Sequence, residues 1–135
     1  MKTKKVVLID DETDIRLFFQ TALEDGGYIA LTASSAQDGL QLVRREKPDL
    51  ICLDILMPEE SGMSLYQKLK SDPALRGIPV MITSGLSLSR DLHNIDCLVL
   101  PSGERLPEPE CIAEKPLNVE QFMNKVEETI GGAHG

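Results

Sequence analysis

The chain has 135 residues, with 14 Lys and Arg against 22 Asp and Glu, and a formal net charge of −8. This acid excess argues against a nucleic-acid-binding protein, because such binding depends on clustered Lys and Arg. The length favours one domain, and no apolar run approaches the ~20 residues of a membrane-spanning helix.

The cysteines and the amino-terminal residues bear on the compartment. Cys52, Cys97 and Cys111 show neither a CxxC motif nor metal-ligand spacing. An odd number of cysteines, without a signal-peptide pattern, predicts free thiols and a cytoplasmic protein that makes no membrane contact. A Cys97–Cys111 bridge is the alternative.

The first strand and helix are clearly marked in the sequence. Residues 5–9 form an apolar run typical of a strand that is covered on both faces. Thr13 is the predicted N-cap of the helix that follows, and Gly26 and Gly27 are predicted to end this helix. The apolar residues on one face of the helix are Ile15, Phe18, Phe19, Ala22 and Leu23.

The next segments repeat the alternation of strand and helix. The predicted strands are residues 28–33, 49–53 and 78–82. Between them, one helix runs from the Ser35 cap to about Lys47, and a second helix, which follows the loop at Met57 and Pro58, ends at about Ser71. Strands and helices at this spacing form βαβ units. The sequence therefore predicts an α/β protein with a doubly wound parallel sheet and helices on both faces.

The last third of the sequence is less regular. Residues 87–95 predict a short helix and residues 97–100 a strand, whereas residues 101–110 contain three prolines and a glycine and predict a loop. A further short strand is expected at residues 111–113.

The final helix has a strong start signal. Asn118 is its predicted cap, and Gln121 completes a capping-box pattern. Its apolar stripe comprises Val119, Phe122, Val126 and Ile130. We expect one domain over residues 1–130 and a disordered tail over residues 131–135.

Chemically active side chains follow the predicted strands. These residues are Asp10 and Asp11 after the first strand, Asp54 after the third, Thr83 after the fourth and Lys115 after the last. Alone, each Asp is equally typical of a turn or a helix cap, Thr83 of a turn, and Lys115 of a solvated surface lysine. Together they converge on one edge, because the carboxyl ends of parallel strands meet there. Two carboxylates ~5 Å apart repel by roughly 3 kcal/mol at an effective dielectric of ~20, so the cluster predicts a cation, and oxygen ligands suit Mg²⁺.

Four motifs in order resemble the receiver domain of two-component response regulators. They are Val-Leu-Ile-Asp10-Asp11-Glu12, Leu-Asp54-Ile-Leu-Met57-Pro58 with Gly62, Met81-Ile-Thr83-Ser84-Gly85, and Glu114-Lys115-Pro116. The resemblance covers residues 4–130. It implies a single-domain, chemotaxis-regulator-like fold, whose five-stranded parallel sheet has the order 2-1-3-4-5.

The resemblance also implies roles for the residues at the sheet edge. Asp54 would be the phosphoacceptor. Mg²⁺ would be bound by Asp11, Asp54 and the backbone carbonyl of Leu56, with Asp10 acting through water. Thr83 and Lys115 would contact the phosphoryl oxygens.

The resemblance further implies the partners. A sensor histidine kinase or phosphotransfer protein would donate the phosphoryl group, and a downstream protein would bind the face formed by residues 84–130. The chain would be a signalling phosphoacceptor that phosphorylates itself and hydrolyses slowly, rather than a turnover enzyme.

Two features depart from the receiver pattern. The position three residues before Lys115, usually aromatic in receivers, is Ile112. Thr83 and Lys115 are 32 residues apart, which is longer than one helix and one strand need. Our hypothesis is that residues 97–110 contain an insertion, in which 97–100 pair antiparallel with 111–114 as an extra edge strand. The alternative is an insertion without effect on signalling.

Two other functions remain as alternatives. A degenerate receiver would act as an interaction module that is independent of phosphorylation, and Ile112 and the insertion are compatible with it. A Mg²⁺-dependent phosphatase with Asp54 as nucleophile would need a second Asp two residues later. Leu56 occupies that position, which argues against the phosphatase.

Overall fold

Apolar strands and amphipathic helices alternate through the residues that the computed structural model describes, namely 3–54, 62–84, 103, 111–114 and 118–131. The strands are β1 (Lys5–Ile9), β2 (Ile29–Ala33), β3 (Leu50–Asp54), β4 (Val80–Ser84) and β5 (Cys111–Glu114). The helices are α1 (Thr13–Asp25), α2 (Ala36–Glu46), α3 (Gly62–Ser71) and α4 (Val119–Ile130).

The five strands form one parallel sheet in the order β2-β1-β3-β4-β5. Every residue of β3 is buried, and so is all of β1 after its first residue. Near-continuous apolar runs of this kind are expected for strands covered on both faces. The predicted fold class and strand order are confirmed.

Alternate residues of the strands pack into two separate cores. Ile9 and Leu53 belong to the core on the side of α2 and α3. Leu8 and Cys52 belong to the core on the side of α1 and α4. Because successive side chains of a strand point to opposite faces, this division follows from the period of two.

The third and fourth strands are shifted along the chain from their predicted positions. β3 is Leu50–Asp54 rather than 49–53, and β4 is Val80–Ser84 rather than 78–82. Pro79 has no N–H for the ladder, although its carbonyl accepts a bond from the backbone N–H of Ile51 at 3.0 Å. Asp54 and Thr83 therefore lie within the strands, directly opposite each other in register.

The prediction that Thr13 caps the first helix is wrong. Glu12 is the N-cap, without a side-chain cap bond, and Thr13 is the first helical residue. Asp10 forms the turn before the helix, because its Oδ1 accepts a bond from the Glu12 N–H at 2.9 Å. The helix ends at Gly26, as predicted, and Gly27 follows with a φ of 92°.

The other two predicted caps are confirmed. The Ser35 Oγ accepts a bond from the Asp38 N–H at 3.2 Å. Asn118 and Gln121 form the reciprocal capping box that starts α4. The apolar stripes are narrower than predicted, however, because Phe18 is 49% exposed and Val119 is 39% exposed.

Several predictions concern residues outside the described part of the chain. These are the helix at 87–95, the strand at 97–100 with its antiparallel pairing, the loop at 101–110 apart from Gly103, the disordered tail at 131–135 apart from Gly131, and the Cys97–Cys111 bridge. Within the described residues, Cys52 is buried and forms no disulfide, as predicted. No helix in the same ranges has the length and apolar character that would let it cross a bilayer.

Gly39 sets how closely α2 approaches β1. A Cβ at this position would lie 2.6 Å from Cδ1 and 2.9 Å from Cγ1 of Ile9, the residue before Asp10. We expect Gly39→Ala to lower the free energy of unfolding by about 1 kcal/mol, since overpacking exceeds the helix propensity gained. Urea denaturation measures this loss. A Cβ at Gly77 would have nothing within 4 Å, so Gly77→Ala is the control, and an equal loss there would contradict the packing argument.

Candidate functional site

Four carboxylates meet at the carboxyl edge of the sheet. Oxygens of Asp10, Asp11, Glu12 and Asp54 all lie within 4.8 Å of one another. Asp10 is 6% exposed and Asp54 is 3% exposed, whereas Asp11 and Glu12 are more accessible to solvent. The cluster lies between β1 and β3, where the strand order reverses and where ligands bind in open α/β sheets.

The turn that carries this cluster is held by three hydrogen bonds. The backbone N–H of Asp10 donates to the Ala33 carbonyl at 3.1 Å, which ties the turn to β2. The Asp10 side chain accepts a bond from the Glu12 N–H, and the backbone carbonyl of Asp10 accepts a bond from Nη1 of Arg16 at 2.7 Å. Asp10 is therefore fixed by its neighbours on both sides.

Glu12 and Arg16 are site residues that the sequence analysis did not assign. Glu12 stands in the acidic triplet of the first motif, so its position next to Asp11 was the available signal. Arg16 lies one turn into α1, and its guanidinium reaches back to the Asp10 carbonyl and to the Thr13 hydroxyl. Nothing in its spacing distinguished it from a solvent-facing helix residue.

Thr83 extends the site to β4. It lies opposite Asp54 in β3 and opposite Ala113 in β5, and it is 7% exposed. Strand alternation places Asp10, Asp54 and Thr83 on the face that α1 and α4 cover, because Leu8, Cys52 and Met81, two residues earlier in each strand, belong to that core. A hydroxyl and buried carboxylates are thus neighbours at one edge.

Two sequence-predicted site residues lie outside the described part of the chain. They are Lys115 and Leu56, whose backbone carbonyl was the expected metal ligand. Ile112, at the usual aromatic position of receivers, is described in its backbone and pairs with Ile82 of β4.

The donor set fits a hard divalent cation. Two unit charges ~4.8 Å apart repel by roughly 3 kcal/mol at an effective dielectric of ~20, so four carboxylates this close need a compensating charge. Carboxylate oxygens are the ligands that Mg²⁺ prefers, and the two exposed acids leave room for the waters that it retains. Arg16 supplies positive charge nearby, but its bonds go to a carbonyl and a hydroxyl.

Comparison with known proteins agrees with this geometry. The chain is 31% identical over 133 residues to the polar-differentiation response regulator DivK of Brucella ovis, across 97% of this chain and 99% of that protein. Among solved structures, the CheY-like receiver domain protein of Methanospirillum hungatei JF-1 superposes with a TM-score of 0.79 at 24% identity, covering 96% of this chain and 95% of that chain.

A second solved structure and a family match complete the comparison. The receiver domain of a signal transduction histidine kinase from Syntrophus aciditrophicus has a TM-score of 0.79 at 25% identity, covering 97% of this chain and 92% of that chain. The sequence model of the response regulator receiver domain matches residues 6–95. The chain therefore belongs to the family of response regulator receiver domains of two-component signalling.

Proposed function

We propose that the chain is a phosphoacceptor that receives a phosphoryl group on Asp54. The observation that carries this proposal is the position of Asp54, which is buried at the end of β3, within 4.8 Å of three other carboxylates and opposite Thr83. A carboxylate in such a site is a suitable nucleophile for phosphoryl transfer. The receiver would span residues 1–130 and act in the cytoplasm.

The metal site of the proposal is the acid cluster. Asp11, Asp54 and the backbone carbonyl of Leu56 would bind Mg²⁺ directly, and Asp10 through water. When bound, the ion offsets the negative charge of the carboxylates and of the incoming phosphoryl oxygens. The hydrogen bonds from Arg16 and Glu12 hold Asp10 in place for this role.

The transfer step can be written for the side chains of this chain. A carboxylate oxygen of Asp54 attacks phosphorus in line with the leaving group, and the P–N bond of a donor phosphohistidine breaks. The electron pair stays on the imidazole nitrogen, which takes a proton from solvent. Thr83 donates its hydroxyl to a phosphoryl oxygen, and Lys115 places its ammonium beside another. Water later hydrolyses the acyl phosphate and restores the carboxylate.

The partners follow from this chemistry. A sensor histidine kinase or a phosphotransfer protein would supply the phosphoryl group, and a downstream protein would recognise the face of residues 84–130. The net charge of −8 makes direct nucleic-acid binding unfavourable. The alternative is a degenerate receiver that binds its partner without phosphorylation.

Intact-mass measurement after incubation with acetyl phosphate and Mg²⁺ tests the proposal. We expect a phosphate-sized mass gain that is lost in Asp54→Asn and in the presence of EDTA. Asp49→Asn, directly before the same strand, is the matched control and should keep the gain, because the Asp49 carboxylate accepts a bond from the Lys5 N–H at the opposite, amino end of the sheet. No gain in the wild type with any phosphodonor would support the interaction module instead.

A further inference from the structure

The three phenylalanines of the chain form a continuous series of ring contacts. The rings of Phe122 in α4 and Phe19 in α1 have centroids 4.2 Å apart with an interplanar angle of 34°. Phe19 in turn contacts Phe18 edge to face, with centroids 5.4 Å apart. We call this series the aromatic ladder. Phe122 is fully buried and Phe18 is half exposed, so the ladder runs from the core to the surface of α1.

The inner end of the ladder lies beside Asp10 and Thr83 of the candidate site. Phe122 and Phe19 line a cavity of about 20 Å³ together with Asp10 and Thr83. A cavity of this size holds about one water molecule. The residue beside Thr83 in β5 is the small Ala113, which belongs to the same core as the two rings. Thr83 and the aromatic pair therefore border one small space.

The outer end of the ladder lies in an apolar surface. Phe18 lies next to Leu17, which is also exposed, and Val119 at the start of α4 completes the patch. Asp14 and Asp25 line the same groove between α1 and α4. A movement of Phe18 would therefore change the apolar area that this groove presents.

We propose that the aromatic ladder transmits the state of Thr83 to the surface groove between α1 and α4. The inference rests on the proposed function, in which the Thr83 hydroxyl is drawn towards a phosphoryl group on Asp54. That movement enlarges the cavity, and empty volume in a core is unfavourable, so the rings of Phe122 and Phe19 shift to fill it. Phe18 moves with Phe19 because the two rings are in contact.

This route replaces the aromatic side chain that receivers usually carry near the lysine. The corresponding residue here is Ile112, which has no ring to rotate. Phe122 is on α4 instead, and its ring lines the cavity beside Thr83. Phe122 is thus a positioning residue, which acts on the surface through Phe19 and touches no phosphoryl oxygen.

Fluorine NMR of the full chain labelled with 4-fluorophenylalanine tests the ladder, since three phenylalanines give three signals. Beryllofluoride with Mg²⁺ is the phosphoryl analogue, and its bound form gives a separate fluorine signal that reports occupancy of Asp54. We expect all three phenylalanine signals to shift on saturation. In Phe19→Leu the Phe122 signal should still shift, whereas the Phe18 shift should be lost. Leu17→Ala, beside the ladder on the surface, is the control and should keep the Phe18 shift.

The outcomes separate the ladder from the function on which it rests. A bound beryllofluoride signal with unshifted Phe122 and Phe18 signals would overturn the ladder and leave the phosphoacceptor intact. A Phe18 shift that persists in Phe19→Leu or in Phe122→Leu would overturn it as well. If the wild type shows no bound beryllofluoride signal, as expected for Asp54→Asn, that result would overturn the proposed function together with the ladder.

Discussion

In the absence of Mg²⁺, Asp54→Asn is expected to raise the free energy of unfolding by about 1 to 3 kcal/mol. The sign is unusual, because most substitutions at buried polar positions destabilise a protein. Asp54 lies among three carboxylates within 4.8 Å. Two unit charges at that distance repel by roughly 3 kcal/mol at an effective dielectric of ~20, and solvent reduces the repulsion from the exposed acids. The amide has nearly the same shape as the carboxylate and removes one charge, so the repulsion falls while the packing is kept.

Urea denaturation with EDTA and with Mg²⁺ measures this effect. Mg²⁺ should stabilise the wild type, by about 2.7 kcal/mol at one hundred times its dissociation constant, and should stabilise Asp54→Asn less. Asp25→Asn, exposed at the far end of α1, is the control and should change stability by less than about 0.5 kcal/mol with or without the ion. A loss of stability in Asp54→Asn under EDTA would contradict the repulsion argument.

Lys70→Met is expected to lower the free energy of unfolding by about 2 kcal/mol. Lys70 is only 1% exposed, and its Nζ donates to the carbonyls of Arg76 at 3.1 Å and Ile78 at 3.0 Å. Methionine keeps much of the volume but leaves those carbonyls without a donor, and an unsatisfied buried group costs about 1 to 3 kcal/mol. The ammonium also lies 5.9 Å from the centroid of the Tyr66 ring, which adds a favourable contact.

Chemical denaturation of Lys70→Met beside Lys68→Met isolates this contribution. Lys68 is on the same helix and exposed, so its replacement should cost less than about 0.5 kcal/mol. Equal losses in the two variants would show that the buried ammonium contributes nothing beyond its side-chain volume. The result matters for the site, because the turn that Lys70 holds leads into β4, the strand of Thr83.

Much of the fold could be predicted because buried strands and capped helices leave local signals. The continuous apolar runs of β1 and β3 and the caps at Ser35 and Asn118 are properties of a few adjacent residues. Phe18 and Val119 belong to the predicted apolar faces of their helices but are exposed, because they lie at the margins of those faces. Whether a marginal residue is covered depends on the neighbouring helix, whose position is a tertiary property.

The part of the candidate site that lies at the ends of the strands could be predicted from the sequence. Asp10 and Asp54 follow apolar runs directly, so parallel pairing brings them together without further information. Glu12 and Arg16 come from the turn and the first part of α1. Whether their side chains approach the site depends on the geometry of the turn rather than on the periodicity of the sequence. Lys70 could not be predicted as buried, since lysine is almost never fully buried and its carbonyl partners come from the following turn.

The bond from the Lys4 ammonium to the Ile130 carbonyl joins the approach to β1 to the end of α4. The chain enters the sheet and leaves the last helix at the same edge, the one opposite the acid cluster. A short linker can therefore join these two points in a circularly permuted protein without approaching the acid cluster. Reporter domains joined at either point would likewise emerge away from Asp54 and leave a phosphodonor free to approach.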